Sequence, residues 1–384
     1  MKYIPYGRQT IDSSDVEAVV SALQSDYLTQ GPAVEQFEQA LSAYTSAQHT
    51  VVFNSGTAAL HASYFALGLQ PGDEIITTPI TFAATANAAL YLGAKPIFCD
   101  IIPETGCMDP TLVERLITPK TKLIAPVDYA GLPSNLSKLA DIAKNHDIKI
   151  VEDACHALGA HYQEKQIGEG TYSDCTIFSF HPVKHITTGE GGALQTNDSQ
   201  VFEKAMQFRS HGITKNPESY INKVSSPWYH EMQFLGFNYR LTEIQAALGI
   251  SQLKKLEGFL ARRQAIAKYY SEAFSQNQYF ELQYSGDGVV HAYHLFAILL
   301  RPELSNKKNK FVAKLHERKV GSQVHYIPVY LHPYYQELGY TKGLCPQAEL
   351  FYERQLSLPI FPSMTDSEVE YVAKTVLDTC KKVF

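Results

Sequence analysis

The chain has 384 residues, 45% of them hydrophobic and 19% charged, and carries a net charge of −6. That length supports two globular units, and that composition excludes a disordered chain. Charges of both signs are interspersed, which excludes the basic footprint of a nucleic-acid binder, and no apolar run is long enough to span a bilayer. The first residues, MKYIPYGRQT, hold no apolar leader core, so a cytoplasmic protein is expected. Cys99, Cys107, Cys155, Cys175, Cys345 and Cys380 form no C-x-x-C pair and read as reduced thiols. His181 and His185 have helical i, i+4 spacing, but Pro182 lies between them and no third ligand follows, so no metal is expected.

HTVVFNS predicts the first strand, and GTAALHASYFALG predicts the helix after it, ended by Gly68. EIITTP is the next strand, followed by the Ala-rich helix FAATANAALYLG. PIFCD, KLIAPV, IKIVEDA, CTIFSF and GALQT are further strands, with helical patterns such as SNLSKLADIAKNH between them. This alternation predicts an α/β fold with a mostly parallel seven-stranded sheet covered by helices on both faces. Residues 240–274 read as one long helical stretch leading out of it, with Gly258 as the expected bend or break. HAYHLFAILL, the helix KNKFVAKLHERK, the strand GSQVHYIP and the helix DSEVEYVAKTVLDTCKK then predict a smaller α/β unit. The expected division is 1–245 for the large unit and 246–384 for the connecting helix and small unit.

An open parallel sheet binds ligands at the carboxyl ends of its strands. Ser55, Gly56 and Thr57 open a helix after the first strand, where backbone N–H groups and two hydroxyls suit a phosphate. An ordinary helix cap explains the same residues. Phe82 follows the second strand and could cover a flat ring. Asp153 and His156 follow IKIV, where a carboxylate either caps a helix or meets a ligand. SFHPVKHITTGEGG, with Ser179 and Lys184, follows CTIFSF. Together they place a phosphate cradle, an aromatic cover, a carboxylate and a lysine on one sheet edge. That set fits pyridoxal phosphate, whose aldehyde, ring nitrogen and phosphate need these partners. The P-loop and dinucleotide fingerprints are absent.

The motifs YLTQGPAVEQFE, FNSGTAAL, TFAATANA, EDACHALGA, SFHPVKHITTGEGG, GFNYRLTEIQAALG and QVHYIPVY run in order through nearly the whole chain. In these the chain resembles the DegT/DnrJ/EryC1 sugar aminotransferases, which have the type I fold of pyridoxal-phosphate enzymes. The resemblance implies that Lys184 forms the Schiff base and moves protons, that Asp153 pairs with the ring nitrogen, and that Phe82 stacks on the ring. It implies that Ser55, Gly56, Thr57 and Ser179 hold the phosphate, with Asn238 reaching it from the partner protomer of a homodimer. His156 stands where many relatives have glutamine, near the cofactor's phenolic oxygen. For the sugar nucleotide the resemblance points to Tyr6, to Asp26, Tyr27, Leu28 and Thr29, and to Gln323, Val324, His325 and Tyr326.

The implied reaction takes nitrogen from L-glutamate, releasing 2-oxoglutarate, and passes it to C4 of a UDP-linked 4-keto-6-deoxy-N-acetylhexosamine of the pseudaminic acid route. Keto-sugars of the bacillosamine or perosamine type are the alternatives. Dehydratase relatives carry histidine in place of the lysine, so Lys184 argues for transamination. A non-catalytic regulator is the other class considered, and no helix-turn-helix or basic stripe supports it.

Overall fold

The computed structural model describes residues 2–384 except 223, 225, 285 and 287. Seven strands form the principal sheet: β1 (His49–Phe53), β2 (Glu74–Thr77), β3 (Lys95–Phe98), β4 (Thr121–Ala125), β5 (Lys149–Asp153), β6 (Cys175–Ser179) and β7 (Gly192–Thr196). Their order is β1-β7-β6-β5-β4-β2-β3, and only β7 runs antiparallel to its neighbours. These are the seven strands expected from the apolar runs.

The period of two along a strand explains how both faces are covered. Val51 and Phe53 of β1, with Ile75, Leu123, Val151 and Ile177, pack against helices Gly56–Ala66, Ala84–Tyr91 and Ser199–Arg209. The intervening residues point the other way. Ile76, Ile124 and Ile150 meet helix Leu136–Asn145, while Val52 and Phe178 meet helix Pro32–Thr45 and the helices beyond residue 242.

A second core lies around an antiparallel sheet of β8 (Phe280–Leu282), β9 (Phe296–Leu300) and β10 (Gln355–Leu358). Helices Leu256–Ala273, Lys308–Glu317 and Asp366–Val383 cover it. Ile4 is buried in this core and bridges Val320, so the first residues pack with the C-terminal elements.

Two expected elements differ. The stretch 240–274 is two helices, Glu243–Leu253 and Leu256–Ala273. Gly258 lies inside the second, where it causes no break. The first ends in a tightened turn, Lys255 N–H to Gln252 carbonyl at 3.0 Å. The Lys255 amine is drawn aside to Asp12 and Asp15, at 2.6 and 2.7 Å. GSQVHYIP forms no strand. Gln323 makes one bridge with Ser357, and then the side chain of Gln355 takes the His325 N–H that a neighbouring strand would have taken.

Glu243 anchors the start of helix Pro32–Thr45. Its carboxylate accepts the N–H groups of Gly31, Ala33 and Val34 at 3.0, 2.7 and 3.2 Å, at the N-terminus of helix Pro32–Thr45. A carboxylate there satisfies otherwise orphaned donors and meets the positive end of the helix dipole. Glu243→Ala is expected to cost about 2–3 kcal/mol, read as a lower urea midpoint, because these donors lose their partner.

Candidate active site

A cavity of about 820 Å³ opens at the carboxyl edge of the principal sheet. It is lined by residues from the ends of β1, β2, β5 and β6 and from the segments that follow them. The cradle is the start of helix Gly56–Ala66. Ser55 is its cap, accepting the Ala58 N–H at 3.1 Å, which leaves the first-turn donors of Gly56 and Thr57 at the cavity.

Lys184 is placed by a turn. Its N–H bonds the His181 carbonyl at 2.9 Å across Pro182, whose fixed φ suits the second position of a β-turn. The Thr188 N–H and the Thr187 hydroxyl both donate to the Phe180 carbonyl, each at 3.0 Å, and close the loop at its base. Gly189, at φ +80°, turns the chain back in a region costly for other residues. The amine lies at the cavity, where burial lowers its pKa against the opposing pull of Cys155 and Asp153. A larger share of it is therefore the free, nucleophilic base.

Asp153 ends β5 and is 5% exposed. Its carboxylate accepts from the Thr85 hydroxyl at 2.6 Å and from the Cys155 N–H at 3.2 Å. Thr85 in turn lies 2.8 Å from the hydroxyl of Thr81. Since Thr85 spends its proton on the carboxylate, Thr81 donates to Thr85. Phe82, on the same segment, holds its ring at the rim, 64% exposed.

The remaining wall is rich in neutral histidine. His156 Nδ1 accepts the Ala130 N–H at 3.2 Å, so its proton sits on Nε2, which donates to the Tyr326 hydroxyl at 3.1 Å. That is where His156 points. Burial, then the neighbouring Lys184, lowers the pKa of His156 well below the usual range, and burial does the same for His185 and His294. Burial pushes the Tyr326 phenol up, so it stays protonated.

The cavity thus brings together Tyr6, Ser55, Gly56, Thr57, Phe82, Asp153, His156, Ser179, Lys184, His325 and Tyr326. It does not include Asp26, Tyr27, Leu28 or Thr29, which are exposed on the approach to helix Pro32–Thr45. Gln323 and Val324 also lie outside it, Val324 because its side chain packs on the second core. Asn238 is exposed, and its carbonyl accepts from Asn54 at the cavity edge. Sequence reasoning missed Thr81, Thr85, His294 and Gln245. Thr81 and Thr85 stand four residues apart on either side of Phe82, where the chain enters helix Ala84–Tyr91. Gln245 completes the cap of helix Glu243–Leu253 and ties it to the lysine loop through the Glu190 carbonyl at 2.7 Å. Among the described residues no cluster could hold a metal ion, and no helix is long and apolar enough to cross a membrane.

Residues 9–377 match the DegT/DnrJ/EryC1/StrS aminotransferase family. The chain belongs to this family. Among its relatives, the UDP-4-amino-4,6-dideoxy-N-acetyl-beta-L-altrosamine transaminase of Campylobacter jejuni is 39% identical over 382 residues, 99% of this chain and 98% of that one. PseC of Helicobacter pylori, an aminotransferase involved in the biosynthesis of pseudoaminic acid, superposes with a TM-score of 0.93 at 38% identity, covering 99% of this chain and all of the other. Spr1654 of Streptococcus pneumoniae in its PLP-form superposes with a TM-score of 0.92 at 30% identity over the full length of both chains. The mostly parallel sheet and cavity described above are thus those of a DegT/DnrJ/EryC1/StrS aminotransferase, the type I fold.

Two measurements follow from the site's geometry. Thr85→Val keeps the shape and removes the hydroxyl from Asp153; pyridoxal phosphate is expected to bind about tenfold more weakly to the apoprotein, by fluorescence titration. The buried histidines contribute a loss of stability in acid, opposed by the buried carboxyls Asp128 and Glu152, whose pKa values burial raises. A histidine with a lowered folded pKa binds its proton only on unfolding, so stability falls as pH drops below about 6.5. Urea melts between pH 8 and pH 5 are expected to show that loss, at up to about 1.4 kcal/mol per pH unit for each such histidine.

Proposed function

We propose that the chain is a pyridoxal-phosphate-dependent transaminase that moves the amine of L-glutamate to C4 of a UDP-linked 4-keto-6-deoxy-N-acetylhexosamine. The sugar nucleotide is UDP-2-acetamido-2,6-dideoxy-β-L-arabino-hex-4-ulose, on the route to pseudaminic acid. The observation that carries the reaction class is the meeting of Lys184, Asp153, Phe82 and the first turn of helix Gly56–Ala66 at one cavity. The names and near full-length similarity of the Campylobacter and Helicobacter relatives support the choice of sugar.

The side chains present fit the cofactor. The first-turn N–H groups of Gly56 and Thr57, with the hydroxyls of Ser55, Thr57 and Ser179, suit its phosphate. Asp153 suits its ring nitrogen, and the exposed face of Phe82 suits its ring. When bound, pyridoxal phosphate supplies an aldehyde for amine exchange and a ring that accepts electrons from the substrate carbon. The amine of Lys184, favoured as a free base by burial, serves as the attachment point and then carries a proton at Nζ as base and acid. Asp153, held by Thr85, keeps the ring nitrogen protonated. Tyr6, His325 and Tyr326 form the wall available to the sugar nucleotide.

Asn238 and the segment Asp26–Thr29 face solvent. Ile221, Trp228 and Leu235, in the segment that precedes Asn238 in the chain, are each 76% exposed, apolar surface that favours burial against a second copy. A homodimer would let Asn238 serve the partner's phosphate site. The six cysteines are all free thiols, in keeping with a reducing cytoplasm.

Lys184→Ala is expected to abolish turnover and the yellow colour of the loaded protein while leaving the fold intact by circular dichroism. Unchanged turnover would contradict the assignment. A panel of UDP-, TDP- and GDP-linked keto-sugars with glutamate, with product stereochemistry read by NMR, is expected to single out the UDP 4-keto sugar. Preference for a TDP- or GDP-linked substrate would overturn the choice of sugar and leave the reaction class standing.

A further inference from the structure

His325 is 6% exposed, and its ring forms part of the cavity wall. Which of its nitrogens holds the proton decides whether the cavity meets a donor or an acceptor. The residues behind it settle that choice. Gln355 and Ser357 lie on the same face of β10, two residues apart, while Leu356 and Leu358 point into the second core. Both polar side chains are fully buried, where each donor and acceptor needs a partner.

The network has one consistent solution. Gln355 Oε1 accepts the His325 N–H at 2.9 Å, which fixes the orientation of the amide. Gln355 Nε2 therefore donates to Ser357 Oγ, at 2.8 Å. The Ser357 hydroxyl proton then has one acceptor among the described residues, His325 Nδ1 at 2.9 Å. An accepting Nδ1 leaves the proton of the neutral ring on Nε2. Burial, and then the nearby Lys184, lowers the ring's pKa to about 3, so it is neutral. The Tyr129 hydroxyl donates to the His325 carbonyl at 2.8 Å, so both backbone groups of His325 are tied.

We propose that Gln355 and Ser357 are positioning residues that lock His325 as a neutral Nε2–H donor, and that this donor holds an acceptor oxygen of the sugar nucleotide. The second half rests on the transaminase reading. A neutral N–H cannot accept, so it favours a carbonyl or phosphate oxygen over a group that must donate in the same direction. Gln355→Glu nearly preserves shape and reverses the relay. A carboxylate has no proton to give, so the Ser357 hydroxyl turns toward it. His325 must then donate from Nδ1 and present a lone pair to the substrate oxygen.

Long-range 1H–15N correlation spectra of the 15N-histidine-labelled, cofactor-loaded chain read the tautomer, with the His325 signals assigned by their loss in His325→Asn. The unsubstituted chain is expected to show Nε2–H. Above the pH at which the introduced acid ionises, Gln355→Glu is expected to show Nδ1–H and a KM for the sugar nucleotide raised about tenfold, with the KM for glutamate unchanged. Ser357→Ala, should the Glu variant not fold, is expected to lose the single Nε2–H tautomer and to raise the same KM. Nδ1–H in the unsubstituted chain would overturn the proposal, as would an unaltered tautomer or sugar KM in the variants. The unsubstituted spectrum needs no turnover, and failure of the transaminase reading would show separately, as loss of colour change with glutamate.

Discussion

A methyl group on Gly192 would stand 2.6 Å from the backbone nitrogen of Gly56 and the same distance from the Ser55 carbonyl carbon. The start of β7 and the start of the cradle helix therefore touch backbone to backbone, which only glycine allows. On the other side, a side chain on Gly56 would meet Ser179 Cβ at 3.2 Å. The lysine loop leaves the sheet at Ser179 and re-enters it at Gly192, so both of its ends are pinned to the helix that would hold the phosphate. The distance between amine and cradle becomes a property of the sheet rather than of a flexible loop. The antiparallel run of β7 keeps both ends of the loop at this edge. A parallel strand would need a crossover and would carry the loop's return to the far edge.

The same edge gathers polar groups whose protonation burial controls. His156, His185, His294 and His325 are all pushed toward the neutral form, and the Tyr326 phenol stays protonated. Lys184 is thus surrounded by groups that donate or accept without adding charge. Asp153 is the buried carboxylate at the cavity, and the Thr81–Thr85 hydroxyl pair is directed at it. A cofactor that must gain and lose charge in use is best served by surroundings of fixed polarity, because nothing then has to reorganise.

The sheet was legible in the sequence because most of its strands are short Val- or Ile-containing runs set between helical patterns, and all seven formed. The motif residues at the strand ends, Ser55, Asp153, Ser179 and Lys184, were legible for a related reason: parallel strands end at one edge. What escaped depended on long-range partners. The break at Lys254–Lys255 involves Asp12 and Asp15, some 240 positions away in the chain. GSQVHYIP alternates like a strand, yet one side-chain carbonyl, that of Gln355, replaces the ladder. Asp26–Thr29 and Gln323 carry the resemblance but are exposed and do not line the cavity of their own chain. Gln355 and Ser357 did leave a trace, since QLSL alternates polar and apolar residues in a strand with no exposed face.

The most direct measurement of the central claim is the site of cofactor attachment. Borohydride treatment of the protein loaded with pyridoxal phosphate makes the lysine–cofactor linkage permanent, and peptide mass mapping then locates it. The expected result is one added cofactor per chain on the peptide that contains Lys184, with every other lysine unmodified. An adduct on a different lysine, or an unmodified Lys184 in yellow protein, would contradict it.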